Sequence, residues 1–319
     1  MQQPIISTSI AIPSRTRDWS NLMKARLSLL VVATTLVGFL LAEPDSVRWG
    51  ALAYTLAGTF LSAISAAALN QAMEWRHDAK MQRTANRPVA SGRFSQTRAV
   101  IVGFIWGYFG CFILAMQVNL LAAGLAGLTI VLYVLVYTPM KRFTTMNTVV
   151  GAVVGAIPPM IGWAAAAGDL QRGAWVLAAL LFTWQLPHFF ALAWLYREDY
   201  PRGGFKMLPS MRGGEVLAAQ TSLLSSLLLV PIGLIATLLG VAGFISAGAC
   251  TIAALGLSWF AWVHLRRLDR PSARRLFFAS LWYLPVVLIA LAADRGAASN
   301  LASVRGGRSV LIDIPSTMP

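Results

Sequence analysis

The stretch GALAYTLAGTFLSAISAAALNQAMEWRHDAKMQRTANRP, Gly50–Pro88, decides how the chain folds. Residues 50–71 carry no charge, and a helix needs about 20 mostly apolar residues to cross a bilayer. From Glu74 onward acids and bases crowd together, so an apolar span runs into a charged cap. Asn70, Glu74 and Asp78 stand at i, i+4 and i+8. Each is offset from the last by about 40° around a helix, which lines all three on one stripe about 12 Å long. An amide oxygen and two carboxylates are hard ligands that suit Mg²⁺, a cation that keeps several waters and bridges to substrate phosphates. Arg83 and Arg87 follow, with the planar fork that clamps phosphate oxygens. The plainer reading is that Glu74 and Asp78 pair with Arg76, Lys80 or Arg83 on a solvated helix end.

The rest of the chain is of the same kind. It is 57% hydrophobic and 12% charged, with a mean hydropathy of +0.65. A soluble domain carries about 25% charged residues, so a soluble fold, a secreted disulfide scaffold and a disordered chain are all excluded. Eight further apolar runs, 27–42, 99–117, 119–137, 146–167, 173–195, 216–238, 241–263 and 275–293, bring the spans to nine. The weakest breaks fall near Gln117–Asn119 and Gly240. Apolar residues lie evenly around each run, as in helices buried on every side. The expected architecture is an all-α integral membrane bundle of nine transmembrane helices over residues 23–294, with an N-terminal tail 1–22 and a flexible C-terminal tail 295–319.

Basic residues stay on the cytoplasmic side of short loops. With the N-terminus cytoplasmic and the C-terminus on the opposite side, 26 Lys and Arg distribute one-sidedly, leaving only Arg48, Arg172, Arg295, Arg305 and Arg308 outside. The net charge of +14 therefore resides on the inner face, and no nucleic acid need be invoked. Cys111 and Cys250 fall inside helices without metal-ligand spacing. The first 20 residues are too polar for a signal peptide and only weakly like a transit peptide, which points to a bacterial inner (plasma) membrane rather than the mitochondrial inner membrane.

A second charged cluster, YREDYPRGGFKMLP (Tyr196–Pro209), follows the sixth span on the same face. It supplies Glu198 and Asp199, then Arg202 and Lys206, with Gly203-Gly204 permitting a tight turn. Acids and bases together, twice on one face, are what a Mg²⁺-diphosphate site requires. No GxxxxGK[ST] phosphate loop is present. Lys141 and Arg142 close the fourth span, where an ordinary basic stop is the plain reading. His188, in WQLPHF (184–189), lies 11 residues before Asp199, about 20° off alignment and about 16 Å away on a regular helix. Pro187 could bend that helix. An intramembrane histidine either bonds a neighbouring helix or marks function. His77 is expected to face solvent or lipid headgroups, and His264 to be an interface residue without a role.

The Asn70-xxx-Glu74-xxx-Asp78 pattern with RTANRP (83–88) resembles the first motif of the UbiA-type intramembrane prenyltransferases. The run YTPMKRFTTMNTVVGAVVGAIPPMIGW (Tyr137–Trp163), WQLPHF, REDYPRGGFKMLP (197–209) and Lys24-Ala25-Arg26-Leu27 are similar to the haem O synthase (protohaem IX farnesyltransferase) branch. The resemblance spans about residues 22–294. It implies a UbiA-type bundle whose central cavity is capped by the two acidic loops, and transfer of the farnesyl group of farnesyl diphosphate to a vinyl group of haem B. Addition of water then gives haem O and diphosphate for terminal oxidase haem biosynthesis. Asn70, Glu74, Asp78 and Asp199 would hold Mg²⁺, and Arg83, Arg87, Lys141, Arg142 and Lys206 the diphosphate. Asp78, Asp199 and His188 would be the catalytic groups. His188, with Trp184 beside it, would face the haem as axial ligand or orienting group. Haem A synthase or terminal oxidase assembly proteins would be partners, besides the lipid bilayer.

Two departures matter. Glu74 stands where many members have Asp, and Glu198-Asp199 replaces a repeated DxxxD, which argues against an aromatic-acid acceptor. The alternatives are a UbiA-type enzyme with another acceptor (hydroxybenzoate, naphthoate or chlorophyllide) and, from another class, a secondary transporter of an anionic substrate. Gly155, Pro158, Pro159 and Gly162 could be the broken midplane helix of a transporter. Against that, the acids gather at one face, and nine helices do not divide into equal inverted halves.

Overall fold

The computed structural model describes residues 15–43 and 46–295, all of whose long elements are helices. The first 14 residues, the tail from 296 with Arg305 and Arg308, and the Pro44-Asp45 break lie outside the described residues. Nine helices among them are long and apolar enough to cross a membrane, one for each expected span. In chain order they are α2 (Ala25–Ala42), α3 (Trp49–Asp78), α4 (Gln96–Gln117), a composite span Leu120–Phe143, α7 (Asn147–Ala167), α8 (Arg172–Leu195), α10 (Gly214–Leu238), α11 (Phe244–Arg267) and α12 (Arg270–Ala293). The composite consists of α5 (Leu120–Val131), a π-helical turn Leu132–Tyr137, and α6 (Thr138–Phe143). Short helices α1 (Arg15–Leu22) and α9 (Asp199–Arg202) lie at the charged end.

The weak breaks are closed by local chemistry. Asn119 caps α5 by accepting the N–H of Ala122 at 2.8 Å, while its amide donates to Ala164 O at 2.8 Å. Gly240, at φ +71°, turns the chain after α10. Ser95 caps α4 and Asp269 caps α12 through the N–H groups of Arg98 and Ser272.

The bundle is buried at its centre and apolar outside. α7 and α8 supply much of the core, including Ile161, Leu177, Leu180 and Leu181, all nearly inaccessible. Phe104, Ile252 and Trp282 stand exposed, the surface expected of a chain whose outer solvent is lipid. In lipid, helices associate by close packing rather than by the hydrophobic effect, which favours small contact residues. α4 meets α3 through Gly103, Gly107 and Gly110, where an added Cβ would strike Leu69, Ser65 and Ser62.

Residues 15–22, assigned by the sequence to a tail, fold back as α1. Leu22 is fully buried, Trp19 meets Phe94 and Trp106 edge-on, and Asp18 pairs with Arg93 at 3.0 Å. Lys24 links α1 to α2 in the left-handed region (φ +46°), an uncommon backbone for a residue with a Cβ.

α7 runs unbroken through Pro158 and Pro159. Its Gly155 and Gly162 are points of close approach to Gln185 of α8 and Thr35 of α2. They serve packing, and α7 has none of the interruption a transporter midplane site would need.

Candidate active site

The charged cap is assembled from four parts of the chain. α3 stays helical to Asp78, so Asn70, Glu74 and Asp78 share one buried stripe, at 0%, 4% and 1% exposure. That stripe faces a polar cavity of about 830 Å³, which Lys24, Arg83, Arg87 and Lys141 also line. Lys141 Nζ donates to Glu74 Oε1 at 2.9 Å and Oε2 at 3.2 Å. Asn70 Nδ2 donates to Glu74 Oε2 at 2.8 Å and to Thr138 Oγ1 at 3.0 Å. Arg87 holds Asp78 Oδ2 at 2.7 Å, while Asp78 Oδ1 is buried with no partner. The plain reading of solvated pairs with Arg76, Lys80 or Arg83 therefore fails: the acids are buried, and their partners are Lys141 and Arg87.

Further groups reach the cavity unforeseen, Lys24, Tyr133 and Tyr137 among them. Lys24 Nζ donates to Asn70 Oδ1 at 2.9 Å and to Tyr133 OH at 3.3 Å. Burial pushes the Lys24 ammonium below its ordinary range; Arg87 and Lys141 add to this, and Tyr133 and Glu74 oppose it. Tyr137 lies under Lys141, 4.5 Å from ring centroid to Nζ. Tyr133, Tyr137 and Lys141 repeat the i, i+4, i+8 spacing of the acid stripe, a signal present in the sequence but unused. The π-helical turn that carries both tyrosines left no such signal; such turns are frequent at functional sites.

Asp199 holds the two charged loops together. Its Oδ1 accepts the N–H of Gln82 at 2.9 Å and its Oδ2 the N–H of Arg83 at 3.2 Å, with Arg202 at 3.7 Å. It does not share a helix face with His188, because α8 ends at Leu195 and Asp199 opens α9. His77, expected to face solvent or headgroups, instead makes a 2.8 Å Nδ1 contact with Gly203 O and packs on Phe205. Arg83 lies against Tyr196 and Tyr200, at 4.9 and 5.6 Å.

Two expected diphosphate ligands lie outside the cavity lining. Arg142 is exposed over Phe143, because it is rotated about 100° from Lys141 on the helix. Lys206 is exposed between buried Phe205 and Met207, the alternation of an extended segment. It contributes backbone instead, donating N–H to Lys141 O at 2.7 Å and accepting Asn147 Nδ2 at 2.9 Å.

Beneath the cap, an apolar cavity of about 320 Å³ penetrates the bundle, sharing Lys24, Leu27, Tyr133, Tyr137 and Phe189 with the polar one. His188 and Trp184 line it. His188 Nδ1 contacts Ser280 Oγ at 2.9 Å, and Trp184 Nε1 donates to Ser280 O at 2.7 Å. The imidazole lies between Trp184 and Phe277, at 5.4 and 4.9 Å. With Nδ1 engaged, Nε2 is the nitrogen left to the cavity. His264 is a buried interface residue against Ser272 Oγ at 3.0 Å, as expected.

The donor set fits a hard divalent cation. Asp78 Oδ1 is an orphaned carboxylate oxygen beside Glu74 and Asn70. Among the described residues no three Asp, Glu, His or Cys gather tightly enough to cage a metal ion. Mg²⁺ takes one or two carboxylates and completes its shell with water and substrate oxygens, so Glu74 and Asp78 with the Asn70 amide are donors of the right kind.

A family model described as the UbiA prenyltransferase family matches residues 31–284. The chain is 42% identical over 285 residues to "Protoheme IX farnesyltransferase, mitochondrial" of Arabidopsis thaliana, covering 89% of this chain and 66% of that one. It is 40% identical over 291 residues to "Protoheme IX farnesyltransferase" of Solibacter usitatus, covering 88% and 99%. The chain thus spans about two thirds of the plant protein and nearly all of the bacterial one. Among solved structures, a digeranylgeranylglyceryl phosphate synthase superposes with a TM-score of 0.72 at 13% identity, over 88% of this chain and 98% of that one. A UbiA homologue from Archaeoglobus fulgidus bound to DMAPP and Mg²⁺ gives 0.63 at 14% identity, over 86% and 99%. At those identities the likeness is one of fold.

Proposed function

Since the chain belongs to the UbiA prenyltransferase family and, within it, to the protoheme IX farnesyltransferases, we propose that it joins the farnesyl group of farnesyl diphosphate to a vinyl carbon of haem B, with addition of water, releasing diphosphate. The observation that carries this reading is the junction of the two cavities. A cationic, carboxylate-lined chamber adjoins an apolar one lined by His188, the two sharing Lys24, Leu27, Tyr133, Tyr137 and Phe189.

In this reading Arg87, Arg83, Lys141 and Lys24 bind the diphosphate, and the apolar cavity takes the farnesyl chain. Glu74 and Asp78, with Asn70, hold Mg²⁺, which when bound neutralises charge on the diphosphate as the allylic C–O bond breaks. With diphosphate and a cation bound, Lys141 and Arg87 would serve phosphate oxygens in place of Glu74 and Asp78, and neither acid would be left buried and unpaired. The preorganised cations stabilise the leaving group. The apolar walls keep water from the allylic cation until the vinyl group attacks. His188, oriented by Ser280, faces the porphyrin through Nε2 as an iron ligand or a donor. Asp199 keeps the Gln82–Arg83 backbone, and with it the Arg83 side chain, over the cavity.

The chain is a multi-pass membrane protein. The basic end is proposed to face the cytoplasm of a bacterial plasma membrane, where enzymes that consume the product haem, such as haem A synthase or an oxidase assembly factor, would meet it.

The test is incubation of the purified protein with haem B, farnesyl diphosphate and Mg²⁺, followed by mass spectrometry of extracted haems. A product at the mass of haem B plus farnesyl plus hydroxyl is expected. No haem product, with prenylation of a hydroxybenzoate, naphthoate or chlorophyllide instead, would replace the acceptor.

A further inference from the structure

A groove of about 1080 Å³ runs along the outer, lipid-facing side of α11 and α12, and its basic end adjoins the charged cap, because Arg270 also lines a pocket with Asp199 and Arg83. Its floor is made of small residues of α11, Ala249, Ala253 and Gly256, and a Cβ added at Gly256 would meet nothing. One wall is built by Phe278 and Trp282 of α12, which are 47% and 72% exposed. At the basic end stand Arg270, Arg274 and Arg275. None of the three takes part in an ion pair among the described residues; Arg274 lies over Phe278, 5.6 Å from its ring centroid.

We infer that this groove binds one anionic phospholipid, with its phosphate on Arg270, Arg274 and Arg275 and an acyl chain laid along the α11–α12 furrow. Charge complementarity is the first argument, since three unpaired guanidinium groups at the membrane surface call for an anion. Length is the second. From Arg274 to Val286 the furrow follows α12 for about 18 Å, close to the roughly 15 Å hydrocarbon depth of one leaflet. The third is composition, because below the arginines the lining is apolar and open to lipid. A zwitterionic lipid carries its own ammonium beside the phosphate and gains less from the arginines. Haem B is also an amphipathic anion, but it is a rigid disc with no chain to follow the furrow.

The experiment measures retention of phosphatidylglycerol and phosphatidylcholine by the detergent-purified full chain in native mass spectrometry. Wild type is expected to retain one phosphatidylglycerol in preference to phosphatidylcholine. The double variant Arg274→Gln/Arg275→Gln should bind phosphatidylglycerol roughly 25-fold more weakly, at about five-fold per arginine, with phosphatidylcholine retention unchanged. Gly256→Leu, which obstructs the furrow and keeps the arginines, should weaken retention of both lipids. None of these residues lines the reaction cavity, and an unchanged thermal-unfolding midpoint serves as the control for folding. Equal retention of the two lipids by wild type, or phosphatidylglycerol binding indifferent to the double variant, would overturn the inference. So would displacement of the lipid by stoichiometric haem B. Lipid retention is read without turnover, so this result stands or falls apart from the proposed reaction.

Discussion

Asp199 Oδ1 accepts the backbone N–H of Gln82 at 2.9 Å, across 117 residues of chain. With the companion bond from Arg83 N, one carboxylate fastens the loop after α3 to the segment after α8. A hydrogen bond to a charged group contributes about 1.5–3 kcal/mol. Asp199→Ala should therefore raise hydrogen exchange at the Gln82 and Arg83 amides by roughly 10- to 100-fold and lower turnover with it. Asp199→Asn, which keeps one acceptor oxygen, should fall between. Lost turnover with unchanged exchange would instead place this carboxylate on the metal, as the sequence pattern expects.

Asp78 has one oxygen on Arg87 and the other buried and unpartnered. Asp78→Asn preserves shape and removes the charge that a divalent cation needs. Turnover is expected to fall by at least about 100-fold, the usual scale for loss of an electrostatic transition-state contact, with the protein still folded in the membrane. Chelation by EDTA should imitate the variant and be reversed by Mg²⁺. Chelator-resistant turnover would refute the metal assignment.

The buried pair Lys141–Glu74 separates stability from catalysis. Lys141→Met strands a buried carboxylate and should cost about 3–5 kcal/mol of stability. Adding Glu74→Gln should recover most of that loss, because the carboxylate left without Lys141 is then neutral. Activity should not return, since both the phosphate cation and the metal carboxylate are gone. A thermal-unfolding cycle with parallel turnover measurements checks both halves.

Lys24 sets an alkaline limb. Its folded pKa is lowered by burial from 10.5, so the ammonium is lost at a lower pH than in the unfolded chain. Between the two values the unfolded chain binds more protons, and stability rises with pH across that window. Binding responds oppositely: KM for farnesyl diphosphate should rise once Lys24 is neutral, at a pH below 10.5. Lys24→Arg, which stays charged, should move that rise upward in a KM–pH profile. An unmoved limb would remove Lys24 from the diphosphate site.

His188 lies in the apolar cavity rather than under the cap. His188→Ala is expected to raise KM for haem B or lower kcat while leaving farnesyl diphosphate affinity within about two-fold. Ser280→Ala, which frees Nδ1, should produce a milder version. Equal loss of both substrates would take His188 out of the haem site.

Membrane insertion, the nine helices and the stripe of Asn70, Glu74 and Asp78 could all be read from the sequence. These features follow from local quantities: apolar run length against bilayer thickness, and the 3.6-residue repeat of one helix. The partners of those residues could not be read. Glu74 meets Lys141, Asp78 meets Arg87 rather than a nearer base, and Asp199 meets a backbone on another loop. The pairing of Lys24 with Asn70 depends on α1 folding back and on a left-handed turn at a lysine, a conformation no residue type there announces. Arg142 and Lys206 matched a motif, yet helix rotation and the alternation of an extended segment turned their side chains outward. Residue spacing along the chain shows at which end of the bundle the charged groups gather and names most, though not all, of those that line the cavity. Which of them face one another is settled in the folded bundle, because buried pairing is set by contacts between segments far apart in the chain, and charge spacing along a single segment carries no information about them.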